Sequence, residues 1–502
     1  MWESFLIGVN TVFQPESLLA IAVGVLWGII GGMIPGINAS IAMALLLPFT
    51  WGMEPATAVM LLAGVYCGGE YGGSIPAILI GTPGTTAAAC TVIDGYELHK
   101  QGRTGEGLYT SLLASCYGGL LSALVLIVVA VPLAAVALSF GPSEYFALAV
   151  MGLTLICSLG GKNVFKGILA GIFGIFVATV GFDPFAGVPR FTFGSLSLAE
   201  GFEMISVMMG LFAMSELFQQ AQEIKSGDEA FVLQSQVKTT FLKWKQIREI
   251  FPVATISSIM GIIIGALPGV GATTAAFVAY SENKRWSKDG HTFGKGNIKG
   301  VAAPEAANNG ATGGAMVPFL ALGIPGSNST AILLGALMIH SVNPGPTLFE
   351  KNPEIPYGIF GALIVANIMM FFLGFLAIKL AIKVTNLSKP VLIAVITALV
   401  YTGAYAYSAD AFDIIVTLAF GVLGFIMKKY GLPHTSTVLG FVLGFIMEVN
   451  FRRALIVTQG DYFAALFNSK LSTVILLIAL ISVTVSIWQN LKKPVDVGNI
   501  SA

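Results

Sequence analysis

Long uninterrupted apolar runs recur along nearly the whole chain. The clearest lie at 108–140, 144–160, 163–182, 357–383 and 471–489, and each is close to or above the ~20 residues that a helix needs to cross a bilayer. Apolar residues follow one another in these runs instead of alternating with polar ones, so they predict helices and not the strands of a membrane β-barrel. We therefore expect an all-α polytopic membrane protein with about 12–14 transmembrane helices.

Pro-Gly pairs interrupt the apolar pattern twice in each half of the chain, and the interruptions repeat. Residues 28–40 (GIIGGMIPGINAS) match 261–273 (GIIIGALPGVGAT), and residues 75–86 (IPAILIGTPGTT) match 317–328 (VPFLALGIPGSN). A Pro-Gly pair ends one half-helix and starts another, because proline lacks a backbone donor and glycine permits unusual backbone conformations. In transporters, corresponding broken helices in two halves of the chain indicate the binding site.

The placement of lysine and arginine predicts opposite orientations for the two copies. In the first half, loop 51–56 between the motifs has no Lys or Arg, and loop 94–107 after them is basic. In the second half the order is reversed: loop 281–300 is the most basic of the chain, and loop 341–356 holds only one lysine. Because basic loops stay in the cytoplasm, we predict two inverted-topology repeats and an N-terminus on the outside.

These repeats define the predicted domain organisation. The ranges are 1–245 for the first repeat (motifs at 28–50 and 71–103), 246–470 for the second (motifs at 261–280 and 301–340) and 471–502 for a C-terminal transmembrane helix and tail. Arg452 and Arg453 do not fit, since they fall where the outside is predicted. Either an interfacial helix runs through 450–468, or the helix count is off by one there.

Composition and motifs narrow the class of function. Only 10% of the residues are charged and the formal net charge is +0, which argues against a nucleic-acid partner because such proteins carry a basic face. The chain has no P-loop, no H-E-x-x-H and no G-x-S-x-G motif, so it is not expected to be an enzyme or to use ATP itself. An ion gradient is the simplest remaining source of energy.

Hydroxyl and amide side chains follow the Pro-Gly pairs and give the candidate substrate site. A helix N-terminus offers free N–H groups and partial positive charge, which suit a carboxylate. The predicted substrate-binding residues are Thr82, Pro83, Gly84, Thr85, Thr86, Pro325, Gly326, Ser327, Asn328 and Ser329. The alternative is that the Pro-Gly pairs merely kink helices and that the small residues help them pack.

A second set of residues is predicted to bind a coupling cation. It consists of Gly36, Asn38, Ser40, Gly269, Thr273, Asn308 and Asn309. Glu70 and Glu305 are candidates as well, since carboxylates inside a membrane are functional by default, although Glu305 fits equally well at the membrane interface. No metal or cofactor is expected apart from Na⁺ as a coupling ion.

The motifs together resemble one known family, the large membrane subunit of tripartite tricarboxylate transporters (TctA-like). The matching stretches are 31–50, 71–85, 94–103, 266–273, 303–315 and 322–327. The resemblance implies a secondary transporter in the bacterial inner membrane that imports citrate or a related di- or tricarboxylate with sodium or protons, with an elevator-like movement. It also implies two partners, a small membrane subunit with about four spans and a periplasmic substrate-binding protein.

Two other classes of function stay open at this stage. Inverted broken helices also build passive channels for small organic anions, and the sequence separates a channel from a transporter poorly. An intramembrane enzyme would need a catalytic pair at mid-membrane depth, for which Glu70 and Glu305 are the only conceivable residues.

Overall fold

The computed structural model describes residues 2–34, 36–159, 163–223, 241–384, 389–467 and 469–492, and these are almost entirely helical. Pro35 of the first Pro-Gly pair and the predicted tail beyond Lys492 lie outside the described residues. The prediction of an all-α polytopic membrane protein is confirmed. In the described ranges, the helices long and apolar enough to cross a membrane are Pro15–Met33, Thr104–Ala137, Trp244–Gly265, Glu354–Lys379, Ala411–Lys429 and Lys470–Trp488. The count of 12–14 crossings stays a prediction.

The chain divides into two compact units, of which the first comprises Met1–Leu138 and Glu203–Phe425. Its early helices are α1 (Trp2–Val12), α2 (Pro15–Met33), α3 (Ala39–Leu46), α4 (Pro55–Gly72), α5 (Ser74–Ile80), α6 (Ala88–Lys100) and α7 (Thr104–Ala137). The next two helices in the chain, α8 and α9, belong to the second unit and are described with it below. The first unit continues with α10 (Met204–Met208), α11 (Ser215–Glu223), α12 (Trp244–Gly265), α13 (Gly271–Trp286), α14 (Ile298–Leu322), α15 (Asn328–Ile339), α16 (Leu348–Lys351), α17 (Glu354–Val384), α18 (Lys389–Ser408) and α19 (Ala411–Lys429), inside which the division falls.

Two helices of the first unit are buried on nearly every side. Almost all of α4 is buried, and every residue of α14 from Gly300 to Ala321 is buried. A helix that is apolar all round belongs in an interior, and here α2 packs along α4 while α7 and α12 pack along α14. The helices that lead into the second Pro-Gly pair of each half therefore form the centre of this unit.

Glycines let these central helices approach their neighbours with the same register in both halves. A Cβ on Gly28 of α2 would lie 2.4 Å from the carbonyl oxygen of Val65 in α4. A Cβ on Gly261 of α12 would lie 2.2 Å from the carbonyl oxygen of Ala307 in α14. Gly28 and Gly261 open the two matching first motifs, and Val65 and Ala307 lie equally far before the matching second motifs. The sequence repeat thus has a counterpart in the packing, while the opposite orientation of the repeats stays a prediction.

The second unit comprises Ser139–Phe202 and Ile426–Ala502. Its elements are α8 (Pro142–Leu159), α9 (Val164–Ala178), β1 (Gly181–Phe182), β2 (Pro189–Arg190), α20 (His434–Val457), α21 (Tyr462–Phe467) and α22 (Lys470–Lys492). Helix α20 packs against α8 and α9, and α22 packs against α8. The two short strands pair antiparallel, with Gly181 opposite Arg190.

A network of ion pairs joins the strand loop of the second unit to α20. Arg190 contacts Glu448 at 2.6 Å, and Arg452 contacts Asp183 at 2.7 Å and Glu448 at 3.0 Å. Asp183 also accepts the N–H groups of two loop residues. Helix α20 runs unbroken to Val457 and α21 begins at Tyr462, so a single helix through 450–468 is wrong, while an interfacial location of this stretch stays a prediction. Arg452, which did not fit the topology, instead lies in the last turns of α20 and is paired with carboxylates.

Candidate functional site

Each Pro-Gly pair ends one helix and begins another, as the sequence predicts. The first break lies between α2 and α3, the second between α5 and α6, the third between α12 and α13, and the fourth between α14 and α15. Gly36 at the first break (φ +90°) and Gly269 at the third (φ +84°) have left-handed backbone conformations. Only glycine adopts such conformations without strain, which explains why the same residue stands at both positions.

Hydroxyl pairs join breaks that belong to different halves of the chain. The Ser40 hydroxyl after the first break lies 3.1 Å from that of Ser329 after the fourth. The Thr86 hydroxyl in the second break lies 2.8 Å from that of Thr273 after the third. In both pairs, the first break of one half meets the second break of the other half. The predicted substrate and cation residues are therefore neighbours, although they are far apart in sequence.

Backbone contacts complete these pairs into a closed circuit, which we call the break ring. The N–H of Gly269 in the third break donates to the carbonyl of Gly326 in the fourth at 3.3 Å. Gly84 in the second break packs against Gly32 at the end of α2, so closely that a Cβ would lie 1.9 Å from the Gly32 oxygen. Each break thus touches the next, in the order first, fourth, third, second and first.

The members of the break ring differ in their access to the surroundings. Thr82 and Thr86 are exposed. Pro83, Gly36, Asn38, Gly269, Thr273, Ser327 and Asn328 are half-buried, and Gly84, Thr85, Ser40, Pro325, Gly326 and Ser329 are buried. An approaching ligand would therefore meet the threonines of the second break first.

Several predicted ligand groups have partners within the protein. The Gly84 N–H, expected to line the substrate path, donates to the carbonyl of Gly73 at 3.0 Å. The side chains of Asn38 and Ser327 accept N–H groups in the first turns of α3 and α15, and Thr85 does the same in α6. Helix N-termini have four N–H groups without helical partners, and one cap satisfies only one or two of them. The capping side chains therefore leave some of the backbone N–H groups at these helix N-termini without a helical or capping partner.

A stripe of polar residues runs along the buried helix α14. Glu305, Asn308, Asn309 and Thr312 follow the spacing of one helical face, and none is more than 1% exposed. Asn308 donates its amide hydrogen to the carbonyl oxygen of Glu70 at 3.2 Å. The side-chain oxygens of Asn308 and Asn309 find no hydrogen-bond partner in the described part of the chain. Since a buried oxygen without a donor is costly, these two atoms suit a small cation.

Glu305 is almost completely buried inside the protein. Its carboxyl group contacts the hydroxyls of Thr91 in α6 and of Ser111 and Ser115 in α7. Sequence analysis singled out Glu305 without finding these partners, which come from helices about 200 positions earlier and follow no local motif.

Two further residues of this region were missed by the sequence analysis. The hydroxyl of Tyr66 in α4 lies 3.1 Å from that of Ser327 in the break ring. Asp94 in α6 is completely buried and accepts the hydroxyl of Tyr280 and the N–H groups of Gly294, Gly296 and Asn297. Asp94 therefore ties the loop before α14 to α6. The sequence analysis assigned residues 94–107 to a loop, whereas the structure includes Asp94 in α6 (Ala88–Lys100), so no sequence signal identified this role.

Comparisons with known proteins agree with one another. Residues 18–439 match the Tripartite tricarboxylate transporter TctA family. An "Uncharacterized 52.8 kDa protein in TAR-I ttuC' 3'region" of Agrobacterium vitis is 36% identical over 490 residues, which is 98% of this chain and 97% of that protein. An "Uncharacterized protein in TAR-II ttuC' 3'region" of the same organism is 34% identical over 201 residues, 40% of this chain and 83% of that protein.

No solved structure matches the chain, so the assignment depends on the sequence comparisons. The family match spans most of the chain and includes all four breaks and the polar stripe of α14. The chain therefore belongs to the tripartite tricarboxylate transporter TctA family, and it is a membrane-embedded transporter component and not an enzyme.

Proposed function

We propose that the chain is the large transmembrane subunit of a binding-protein-dependent secondary transporter that imports citrate or a related di- or tricarboxylate. The observation that carries the proposal is the break ring, because it gathers four helix N-termini in a chain that belongs to a tricarboxylate transporter family. Uptake is coupled to a sodium or proton gradient, since the chain has no ATP-binding motif.

The substrate carboxylates bind between the second and fourth breaks in this proposal. The N-termini of α6 and α15 attract negative charge through their partial positive charge, and Ser327 and Asn328 add neutral hydrogen-bond donors. Thr82 and Thr86 are exposed and make the first contact. Neutral donors are suitable here because they bind an anion without placing a permanent charge in the bilayer.

If sodium is a coupling ion, the residues of the α14 stripe would bind it. Na⁺ prefers oxygen ligands, as do other hard cations, and the unpartnered side-chain oxygens of Asn308 and Asn309 are two such atoms. Gly36, Asn38, Ser40, Gly269 and Thr273 are the remaining members of the proposed cation site. No other cofactor is part of the proposal.

Alternating access by an elevator-like movement is part of the same proposal, as are the partners and the location. The partners are a small membrane subunit with about four spans and a periplasmic substrate-binding protein. The complex lies in the bacterial inner membrane with the N-terminus of this chain in the periplasm, as the basic loops indicate.

The test is uptake of radiolabelled citrate into proteoliposomes that contain this chain and its small subunit. Uptake is measured with and without the binding protein, under an imposed sodium gradient and then under a proton gradient. We expect accumulation above equilibrium that requires both the binding protein and a gradient. Flux that only equilibrates under every gradient would instead establish the passive channel, and no flux would send the search to other carboxylates.

A matched pair of variants tests the site itself. Thr86→Val removes an exposed hydroxyl of the break ring and keeps the side-chain shape, so uptake should fall about five- to tenfold for one lost hydrogen bond of about 1–1.5 kcal/mol. Thr458→Val, at the end of α20 in the second unit, removes a hydroxyl that bonds only to local backbone and should leave uptake unchanged. Equal uptake by the two variants would remove Thr86 from the substrate path.

A further inference from the structure

The carboxyl group of Glu305 has only neutral polar neighbours within contact distance. It is 1% exposed; one oxygen contacts the Thr91 hydroxyl, and the other lies 2.9 Å from Ser115 Oγ and 3.3 Å from Ser111 Oγ. Among the described residues, no Lys, Arg or His nitrogen lies within the 4.0 Å of an ion pair. A buried carboxylate without a cationic partner is costly, and such groups are usually neutralised.

Counting hydroxyl hydrogens decides which partner donates to which. Ser74 at the start of α5 contacts both the carbonyl oxygen of Tyr71, at 2.8 Å, and the hydroxyl of Ser111. A serine hydroxyl carries one hydrogen, and a carbonyl can only accept, so Ser74 donates to Tyr71. Ser111 must then donate its own single hydrogen to Ser74. The contact between Ser111 and Glu305 is a hydrogen bond only if the hydrogen comes from Glu305.

We propose that Glu305 is a proton-binding site that is occupied in this structure, and that its proton is the one that drives transport. The proton sits on the carboxyl oxygen Oε2 and is donated to Ser111, which donates to Ser74, which donates to the carbonyl of Tyr71. Thr91 and Ser115 donate to the carboxyl group. The inference rests on the proposed function only for the second part, the use of the proton in transport.

The other titratable groups around Glu305 do not supply a counter-charge. Electrostatic interactions with Glu305 reach Glu70 and Tyr71 of the α4–α5 region and Cys90 of α6. Asp94 of α6 is engaged by Tyr280 of α13 and by backbone N–H groups. The buried faces of α12 and α15 carry no titratable side chain. None of these groups is a cation, so none of them offsets a negative charge on Glu305.

The hydrogen bonds of Glu305 reach both sides of the second break. Thr91 lies in α6, which follows the break, and Ser74 opens α5, which precedes it. Ionisation of Glu305 would remove the donor to Ser111 and place an uncompensated charge between α6 and α7. The position that matches Glu305 in the first half is Ala63, so of the two repeats only the second carries a carboxyl group at this position.

Infrared spectroscopy of the full chain in lipid tests the first part directly. The wild-type spectrum minus that of Glu305→Gln should contain the C=O band of a protonated carboxylic acid at neutral pH. Carboxylate bands alone in this difference would overturn the proposal. The amide of the glutamine can donate to Ser111 as the acid does, so the variant should keep its fold, which size-exclusion chromatography checks.

Two serine variants test the direction of the hydrogen bonds. Ser74→Ala frees Ser111 to donate to the carboxylate, so the ratio of acid to anion at a given pH should fall about 10- to 150-fold, the value of one hydrogen bond to a charged group. Ser115→Ala removes a donor to the carboxyl group, so the same ratio should rise by a similar factor. Shifts in the same direction in both variants would mean that all three hydroxyls serve an ionised carboxylate, and would refute the proposal.

Transport assays separate this inference from the proposed function. In proteoliposomes, Glu305→Gln should still exchange labelled for unlabelled citrate across the membrane but should lose accumulation driven by a pH gradient. If the variant accumulates citrate as the wild type does, the proton on Glu305 does not drive transport. If the wild type itself neither exchanges nor accumulates any carboxylate, the proposed function fails, while the infrared result on Glu305 stands.

Discussion

Adding one methyl group at Gly28 tests the close packing of α2 on α4. In Gly28→Ala the new Cβ would lie 2.4 Å from the carbonyl oxygen of Val65 and 2.7 Å from the backbone nitrogen of Gly69. A tolerable carbon–oxygen contact is about 3.3 Å, so the two helices must separate by about 0.9 Å. Neither clashing atom belongs to a side chain, so no rotamer change can relieve the contact.

The magnitude follows from the size of this separation. A gap of about 0.5–1 Å removes a quarter to a half of the dispersion energy of the contacts it opens, and overpacking of this kind costs about 1–3 kcal/mol. The population ratio of folded to unfolded protein should therefore fall about five- to 150-fold. Gly261→Ala should behave alike, because its Cβ would lie 2.2 Å from the oxygen of Ala307.

The assay is the half-life of the detergent-solubilised protein at a fixed elevated temperature, read by size-exclusion chromatography. The control is Gly52→Ala, since a Cβ on Gly52 would meet no atom within 4 Å, and it should keep the wild-type half-life. Equal half-lives for Gly28→Ala and Gly52→Ala would refute the packing of α2 on α4 described above. A loss at Gly28 without a loss at Gly261 would show that the two halves do not pack alike.

Two further predictions concern carboxylates with a structural role. The N–H groups of the loop and the guanidinium of Arg452 lower the pKa of Asp183 to about 2, so its stabilising contribution is complete above the ordinary aspartate range near pH ~4 and is lost as the pH falls toward ~2. Pepsin should therefore cleave loop 182–196 slowly at pH ~3.5 and faster near pH ~2. Arg452→Gln should be cleaved faster than the wild type at pH ~3.5 and should approach the wild-type rate near pH ~2, where the ion pairs are lost in both. An unchanged rate in the variant at pH ~3.5 would contradict the role of the ion pairs. Asp94→Asn should shorten the half-life severely, because hydrogen bonds to a buried charge contribute about 1.5–3 kcal/mol each, whereas Glu97→Gln on the exposed side of the same helix loses only a surface ion pair and should match the wild type.

Much of the fold could be predicted from the sequence because the apolar runs set the helix lengths. The run at 163–182 contains α9 (Val164–Ala178), and the run at 357–383 nearly coincides with α17 (Glu354–Val384). The breaks could be predicted as well, since Pro-Gly pairs act locally on the backbone. The continuation of α20 beyond 448 could not, because its polar end is stabilised by ion pairs with a loop more than 250 residues away in sequence.

The sequence predicts which residues belong to the candidate site, but it does not predict which of them contact one another. The hydroxyl residues of the break ring follow the Pro-Gly pairs directly, so the sequence identifies them. Their partners depend on how distant helices meet: Ser40 pairs with a residue 289 positions away. Glu305 was only an additional candidate in the sequence for the same reason, since its partners Thr91 and Ser115 belong to other helices.

The pairing in the break ring also bears on the origin of the chain. A contact between residue i of one subunit and residue j of another, repeated as j with i, characterises a twofold symmetric homodimer. Ser40 with Ser329 and Thr273 with Thr86 come within one residue of this rule when the two halves are regarded as subunits, because Ser40 matches Thr273 and Thr86 matches Asn328, the neighbour of Ser329. Neither half contains a complete break ring. An ancestral half-length protein would therefore have needed a homodimer to form the ring, and a gene fusion would have joined the two copies into one chain. Afterwards the halves could diverge, which is how a single Glu305 could arise opposite Ala63.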